Sequence, residues 1–264
     1  MILLIAGISN GPAFGWGADN HLCITRQAVR WLPVSDTAML GSAADSLIER
    51  YCLYPDWYRA ALNNKDSLRI LQMKPYVELP LLGDLAKYHR TEDHESEICF
   101  VIAAELMQQT VAWLQAGQPV EAARFLGSLV HFVEDNACPV HVIDNELVGE
   151  LLPKPASLDP LTLHQAVERP TFPMTLPPRE PVLLGRSVVE AAETIQIRFV
   201  GNRKKVRPLV VPLIQAMYAG NEQEANRGRA QAAAAAARLA SDVIHTVCVL
   251  ARVQGSPIQG KGKP

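Results

Sequence analysis

The chain has 264 residues, 48% of them hydrophobic and 20% charged, with a formal net charge of −2. That length can bury a substantial core without disulfide staples, and the apolar content excludes an intrinsically disordered chain. The near-neutral balance argues against a protein that grips nucleic acid mainly through a basic field, although a local patch could still do so.

Met1 to Ala6 is apolar, and Ala13-Phe14-Gly15 puts small residues three and one positions before Trp16. This pattern matches the end of a secretory signal with its cleavage site. No Lys or Arg precedes the apolar part, so residues 1–15 read either as a signal peptide or as a structural N-terminal arm. From there on, apolar residues recur at three- and four-residue spacing, the mark of amphipathic helices. The predicted helical stretches are His21 to Trp31, Asp36 to Arg50, Glu97 to Leu114, Val120 to Asp135, Leu183 to Phe199, Val206 to Tyr218, and Glu222 to Val253. No segment alternates with period two between turn signals, so no β-hairpin is expected. The predicted fold is all-α, a compact single domain of many helices over residues 16–254.

Prolines from Pro153 to Pro160 and from Pro170 to Pro181 mark a long irregular connection. Ala232 to Ala237 is an alanine run expected to serve close helix packing. The tail at residues 255–264 is expected to be disordered. No run of apolar residues reaches the roughly 18 needed to cross a bilayer, so no transmembrane segment is expected and the mature chain should be soluble. Cys23, Cys52, Cys99, Cys138 and Cys248 are scattered and contain no Cys-x-x-Cys pair, which is neither a disulfide framework nor a thiolate zinc site. Each is expected in an apolar interior.

Chemistry concentrates in Gly127 to His141, GSLVHFVEDNACPVH. His131 and Asp135, four apart on a predicted helix, emerge from one face and can reach a common ion. Gly127, one turn earlier, leaves room on that stripe. Pro139 disfavours helical geometry at Cys138, so the helix should stop there and a turn should deliver His141. A lone His and Asp at this spacing are more often a hydrogen-bonded surface pair. A second pair, His164 and Glu168, repeats the spacing and shifts the balance to metal binding.

Together these residues resemble the zinc-dependent phospholipases C and the fungal-type single-strand nucleases that share a trinuclear zinc fold. The similarity rests on H-x3-D-x5-H at His131, Asp135 and His141, H-x3-E at His164 and Glu168, W-G-x3-H at Trp16, Gly17 and His21, and Y-P-D-W-Y-R around Asp56 and Arg59. It runs in order from Trp16 to about Glu168. The resemblance implies three zinc ions. Asp56, His89, His131 and Asp135 would hold the first, and His141, His164 and Glu168 the second. The third would take His21, a bridging Asp135, and the amino and carbonyl groups of Trp16, whose free amine requires cleavage after Gly15. The gap from Asp56 to His89 is longer than the family pattern, and His94 is a competitor for that role. His245 matches nothing in the pattern and is assigned to packing or surface.

The implied activity is hydrolysis of a phosphodiester by a zinc-activated water, with Arg59 donating to the phosphoryl oxygens and Asp56 combining ligation with proton acceptance. The glutamate ligand leans towards a phospholipase C acting on a phospholipid headgroup, with transient membrane-surface contact. The W-G-x3-H spacing and Arg59 lean towards a single-strand nuclease or 3′-nucleotidase, while Trp57 and Tyr58 could stack a base, line a headgroup pocket or simply pack. The Arg203-Lys204-Lys205-x-Arg207 cluster could meet either substrate, or be a solvated loop. The phospholipase C type is preferred. A secreted zinc-stabilised domain without catalysis is the contrasting reading. A secreted or periplasmic location follows from the signal, and no obligate protein partner is evident. There is no H-E-x-x-H, no phosphate-binding glycine loop and no G-x-S-x-G elbow.

Overall fold

The computed structural model describes residues 16–79 and 97–255, so residues 1–15, both His89 and His94, and the tail beyond Gly255 lie outside the described residues. Among the described residues there are α-helices and short 3-10 turns and no strand, as the periodicity predicts. The helices in chain order are α1 (Ala18–Arg30), α2 (Val34–Leu40), α3 (Ala43–Glu49), α4 (Tyr54–Asn63), α5 (Ser67–Leu71) and α6 (Lys74–Glu78). Next come α7 (Glu97–Gln115), α8 (Pro119–Asn136), α9 (Asn145–Leu151), α10 (Leu163–Glu168), α11 (Val188–Tyr218) and α12 (Glu222–Gly255).

Helix α8 is the axis of the fold. It starts at Pro119, whose missing N–H costs nothing in a first turn, and from Phe125 to Asn136 every residue is buried. A helix buried on all sides must lie inside a layer of others. α7, α12, α3 and the 3-10 turn Tyr51–Leu53 surround it. Its apolar side chains, among them Phe125, Leu126, Leu129 and Val133, are fully buried in one core cluster. Truncating any of these to alanine would cost about 2–5 kcal/mol.

Two predicted boundaries need correction. The stretch Asp36 to Arg50 is two helices, because Gly41 adopts φ 54°, a conformation that breaks the helix and that side chains disfavour. The stretches Leu183 to Phe199 and Val206 to Tyr218 join instead into the single helix α11, which begins only at Val188. Its internal Pro208 and Pro212 lie on the exposed face, where water can serve the carbonyls that proline leaves without a donor. The basic cluster at 203–207 is therefore helical and not a loop.

Helix α12 is long and apolar enough to span a membrane by length and composition, contrary to the sequence expectation, but 78% of its most apolar window is buried inside the fold. Its alanines explain the burial. Ala232, Ala233, Ala236, Ala237 and Ala240 are fully buried, and small side chains allow a close approach of neighbouring helices. It folds back on α11, the pair joined through Gly220 at φ 69°. The connection from 169 to 187 has no regular structure, as its prolines require.

Candidate metal centre

The C-terminal end of α8 brings the predicted ligands together. His131 and Asp135 face the same way, with His131 Nε2 3.2 Å from Asp135 Oδ2. The other imidazole nitrogen, Nδ1, is pinned at 2.6 Å by the carbonyl of Cys52, in the turn just before α4. That carbonyl fixes the ring and turns Nε2 towards Asp56, whose Oδ1 lies 3.8 Å away. Asp56 sits in the first turn of α4, and Arg59 follows one turn later. Burial lowers the Arg59 guanidinium to about 10 against the pull of Asp56 and Asp135, so it stays charged at neutral pH beside both carboxylates.

Helix α1 contributes His21, fully buried and stacked on His131 with ring centroids 4.0 Å apart. His21 Nε2 lies 3.3 Å from Asp135 Oδ1 but forms no hydrogen bond of acceptable geometry there. The backbone N–H of Trp16 donates to the same Asp135 oxygen at 3.3 Å, and its indole N–H donates to the carbonyl of Glu134 at 3.0 Å. Asp135 thus lies between the His131 side and the Trp16–His21 side.

A second group forms beside the first. The chain leaves α8 at Ala137 and Cys138, and the 3-10 turn Pro139–His141 delivers His141, as predicted from Pro139. His141 Nε2 is 3.7 Å from Glu168 Oε1, and His164 Nε2 is 2.5 Å from the same oxygen. His164 and Glu168 share one face of α10, whose start is fixed by a capping box between Thr162 and Gln165. Most of these groups are buried. The side chains of Asp56 and His164, at 28% and 22% exposed, form the solvent-facing rim.

Several parts of the site escape sequence reading. Glu134, fully buried next to Asp135, accepts from His21 Nδ1 at 2.5 Å and from the Thr25 hydroxyl at 2.7 Å. A carboxylate that orients a ligand histidine through its far nitrogen is the usual outer layer of a metal site. Its signal in the sequence is a second acid inside an otherwise buried helix, because a buried carboxylate needs a partner. Exchange of Glu134 for Gln is expected to weaken metal retention by about 10–100-fold while preserving the fold, measured by competition with a chelator. Cys138 also belongs here, since its sulfur, His141 and Glu168 present donor atoms all within 4.8 Å of one another.

The frame holding the second group consists of two buried arginines. Arg203 of α11, 2% exposed, donates to the His141 carbonyl at 2.7 Å, and Arg207 donates to the Val142 carbonyl at 3.0 Å. The cluster, open from the sequence between a substrate contact and a solvated loop, is thus partly architectural, with Lys204 and Lys205 exposed between. Arg229 of α12, fully buried, donates to the carbonyls of Val167 at 2.9 Å and Ala166 at 3.2 Å. Asn20 takes the Glu168 carbonyl at 2.7 Å. The room that Gly127 leaves on the His131–Asp135 stripe is taken by the backbone of Tyr51.

Electrostatics suit a cation. Burial alone would lower the His21 pKa, but the Asp135 and Glu134 carboxylates raise it to about 10 in the metal-free chain, so an ion at Nε2 would have to displace a proton there. Burial pushes Glu134 upward against His21 and Thr25. Burial also opposes ionisation of Asp135, yet the imidazoles of His131 and His141 hold it well below its ordinary 3.8. The donors present, imidazole nitrogens and carboxylate oxygens, are those zinc takes, and the His21 Nε2 without a hydrogen bond is an atom that an ion would satisfy.

His245 lies elsewhere. Its Nδ1 meets Asp36 Oδ2 at 2.6 Å, and Arg252 meets the other oxygen of that fully buried carboxylate at 2.6 Å. Replacing His245 with alanine should lower stability by about 1–3 kcal/mol in urea denaturation and leave metal content unchanged. Compared with protein-family models, curated proteins and solved structures, the chain matches none.

Proposed function

We propose that the chain is a zinc-dependent hydrolase of phosphoric diesters, of the phospholipase C type. The observation that carries this reading is the convergence on Asp135 of His21, His131 and the Trp16 nitrogen, with His141, His164 and Glu168 alongside. His21, Asp56, His131, Asp135, His141, His164 and Glu168 would hold the ions. Bound zinc supplies a water of lowered pKa and polarises phosphoryl oxygens.

The chain's own residues do the rest. Asp56, at the solvent-facing rim, is positioned to take the proton of the attacking water. Arg59 stays charged and can donate two parallel hydrogen bonds to phosphoryl oxygens as their charge grows. Glu134 and the Cys52 carbonyl hold the two stacked imidazoles in orientation. Release of residues 1–15 on secretion to the cell exterior or periplasm belongs to the same reading, because cleavage would turn the Trp16 amide into an amine beside Asp135.

Substrate choice favours the lipid headgroup over the nucleic acid. Tyr58 is buried and stacked on Tyr76 at 4.4 Å, and Trp57 carries the Arg69 guanidinium 5.6 Å from its ring centroid. Both aromatic neighbours of Asp56 are engaged in packing, which argues against a stacking platform for bases. The test is to count zinc in the purified chain and assay phosphatidylcholine vesicles, single-stranded DNA and a 3′-nucleotide. Two or three zinc ions with release of phosphocholine are expected. A chain holding fewer than two tightly bound ions overturns the metal assignment. Cleavage of DNA alone moves the assignment to the nuclease, and full metal without turnover moves it to a zinc-stabilised binding domain.

A further inference from the structure

We infer that Cys138 is a fourth ligand of the second metal, so that Cys138, His141, His164 and Glu168 form a closed sulfur-containing site. The inference rests on the metal reading above and goes beyond it, because the resemblance supplies only the two histidines and the glutamate.

Cys138 is fully buried, and its surroundings differ from those of a packing cysteine. Its Sγ lies 3.9 Å from Glu168 Oε1, and His141 Nε2 lies 3.7 Å from that oxygen. Donors around a tetrahedral zinc are separated by about 3.3–3.6 Å, from metal–ligand lengths of about 2.0–2.3 Å. Two of the three donor separations are therefore within a few tenths of an ångström of that range, and all three donor atoms lie within 4.8 Å of one another. His164, whose Nε2 lies 2.5 Å from the same Glu168 oxygen and whose ring centroid is 5.2 Å from that of His141, would be the fourth donor, and its ring would have to swing away from that oxygen to share the ion.

The backbone prepares this position. The Cys138 N–H donates to the Asp135 carbonyl at 2.9 Å, the His141 N–H donates to the Cys138 carbonyl at 2.9 Å, and Pro139 stiffens the turn between them. A cysteine and a histidine three residues apart on so tight a turn present their side chains to one point. The other cysteines differ. The Cys52 thiol donates to the Ile48 carbonyl at 3.2 Å, and no His or acid group that could hold an ion includes Cys52 among the described residues.

On binding, the thiol proton is lost to solvent and the sulfur donates as thiolate. Four protein donors leave no open position, which is the pattern of a structural zinc, so water activation falls to the group around Asp56, His131 and Asp135. The thiolate also shifts preference towards softer ions over magnesium or calcium.

The test loads the purified chain with cobalt(II) in place of zinc and records its absorption. A thiolate-to-cobalt charge-transfer band in the near ultraviolet is expected in the native chain. It should vanish in Cys138→Ser with the visible ligand-field bands retained, and persist in Cys52→Ser. Visible bands without the charge-transfer band in the native chain overturn Cys138 as a ligand and leave the metal centre standing. A band that survives in Cys138→Ser does the same. Failure of the native chain to bind cobalt or zinc at all overturns the metal reading itself, and this inference with it.

Discussion

Replacement of Asp135 by asparagine is expected to strip most of the metal from the chain and to lower phosphodiesterase activity at least about a thousandfold. Loss of an outer-layer partner alone costs about 10–100-fold, and Asp135 would touch the proposed ions directly. Its two oxygens face His131 at 3.2 Å, His21 at 3.3 Å and the Trp16 nitrogen at 3.3 Å. An amide cannot replace that charge. The metal-free fold should also weaken, by about 3–5 kcal/mol, because a buried imidazolium is left short of a counter-charge.

The pH dependence follows the sign of the Asp135 shift. A carboxylate held below its ordinary 3.8 contributes stability that is present above that value and is lost as pH falls towards the depressed one. The native metal-free chain should lose this contribution only in strong acid, and Asp135→Asn should lack that acid limb. Metal analysis and turnover near neutral pH, and urea denaturation with a chelator from neutral pH down into strong acid, test all three. Native metal content in the variant would remove Asp135 from the centre.

Exchange of Gly127 for alanine should be the most damaging substitution away from the ligands. Alanine favours a helix over glycine by about 1 kcal/mol, so propensity alone predicts a gain. The contact geometry opposes it. A Cβ at 127 would lie 2.4 Å from the Tyr51 carbonyl carbon and 2.5 Å from both its Cβ and its oxygen, atoms that cannot rotate away. Helix α8 must then separate from the turn Tyr51–Leu53, at a cost of about 3 kcal/mol or more. That turn carries the Cys52 carbonyl and leads into Asp56, so metal retention should fall along with stability. A variant as stable as the native chain, by denaturant titration, would show that the turn yields more readily than the contact implies.

The difference between what could and could not be read from the sequence is physical. Ligand pairs four apart, His131 with Asp135 and His164 with Glu168, are local facts of helix geometry and were visible at once. The stop at Pro139 was visible for the same reason, since proline acts on its immediate neighbour. Glu134 carried a weaker signal, because nothing local says which side of α8 faces Thr25 and His21, more than 100 positions away in sequence. Arg203 and Arg229 could not be found by pattern. A guanidinium that binds main-chain carbonyls across 62 positions leaves no mark on the residues it serves. The helix through Pro208 and Pro212 was missed because exposure, a tertiary property, decided that proline was tolerable there.

Those two arginines have a consequence for how the molecule can change. They grip residues 141, 166 and 167 by carbonyl oxygens, which every amino acid possesses. The chain between His141 and His164 could therefore be rewritten, shortened or lengthened without shifting the anchor points that present His141 and Glu168. The connection between these two anchored segments is free to diversify in sequence while the groups at its ends stay put.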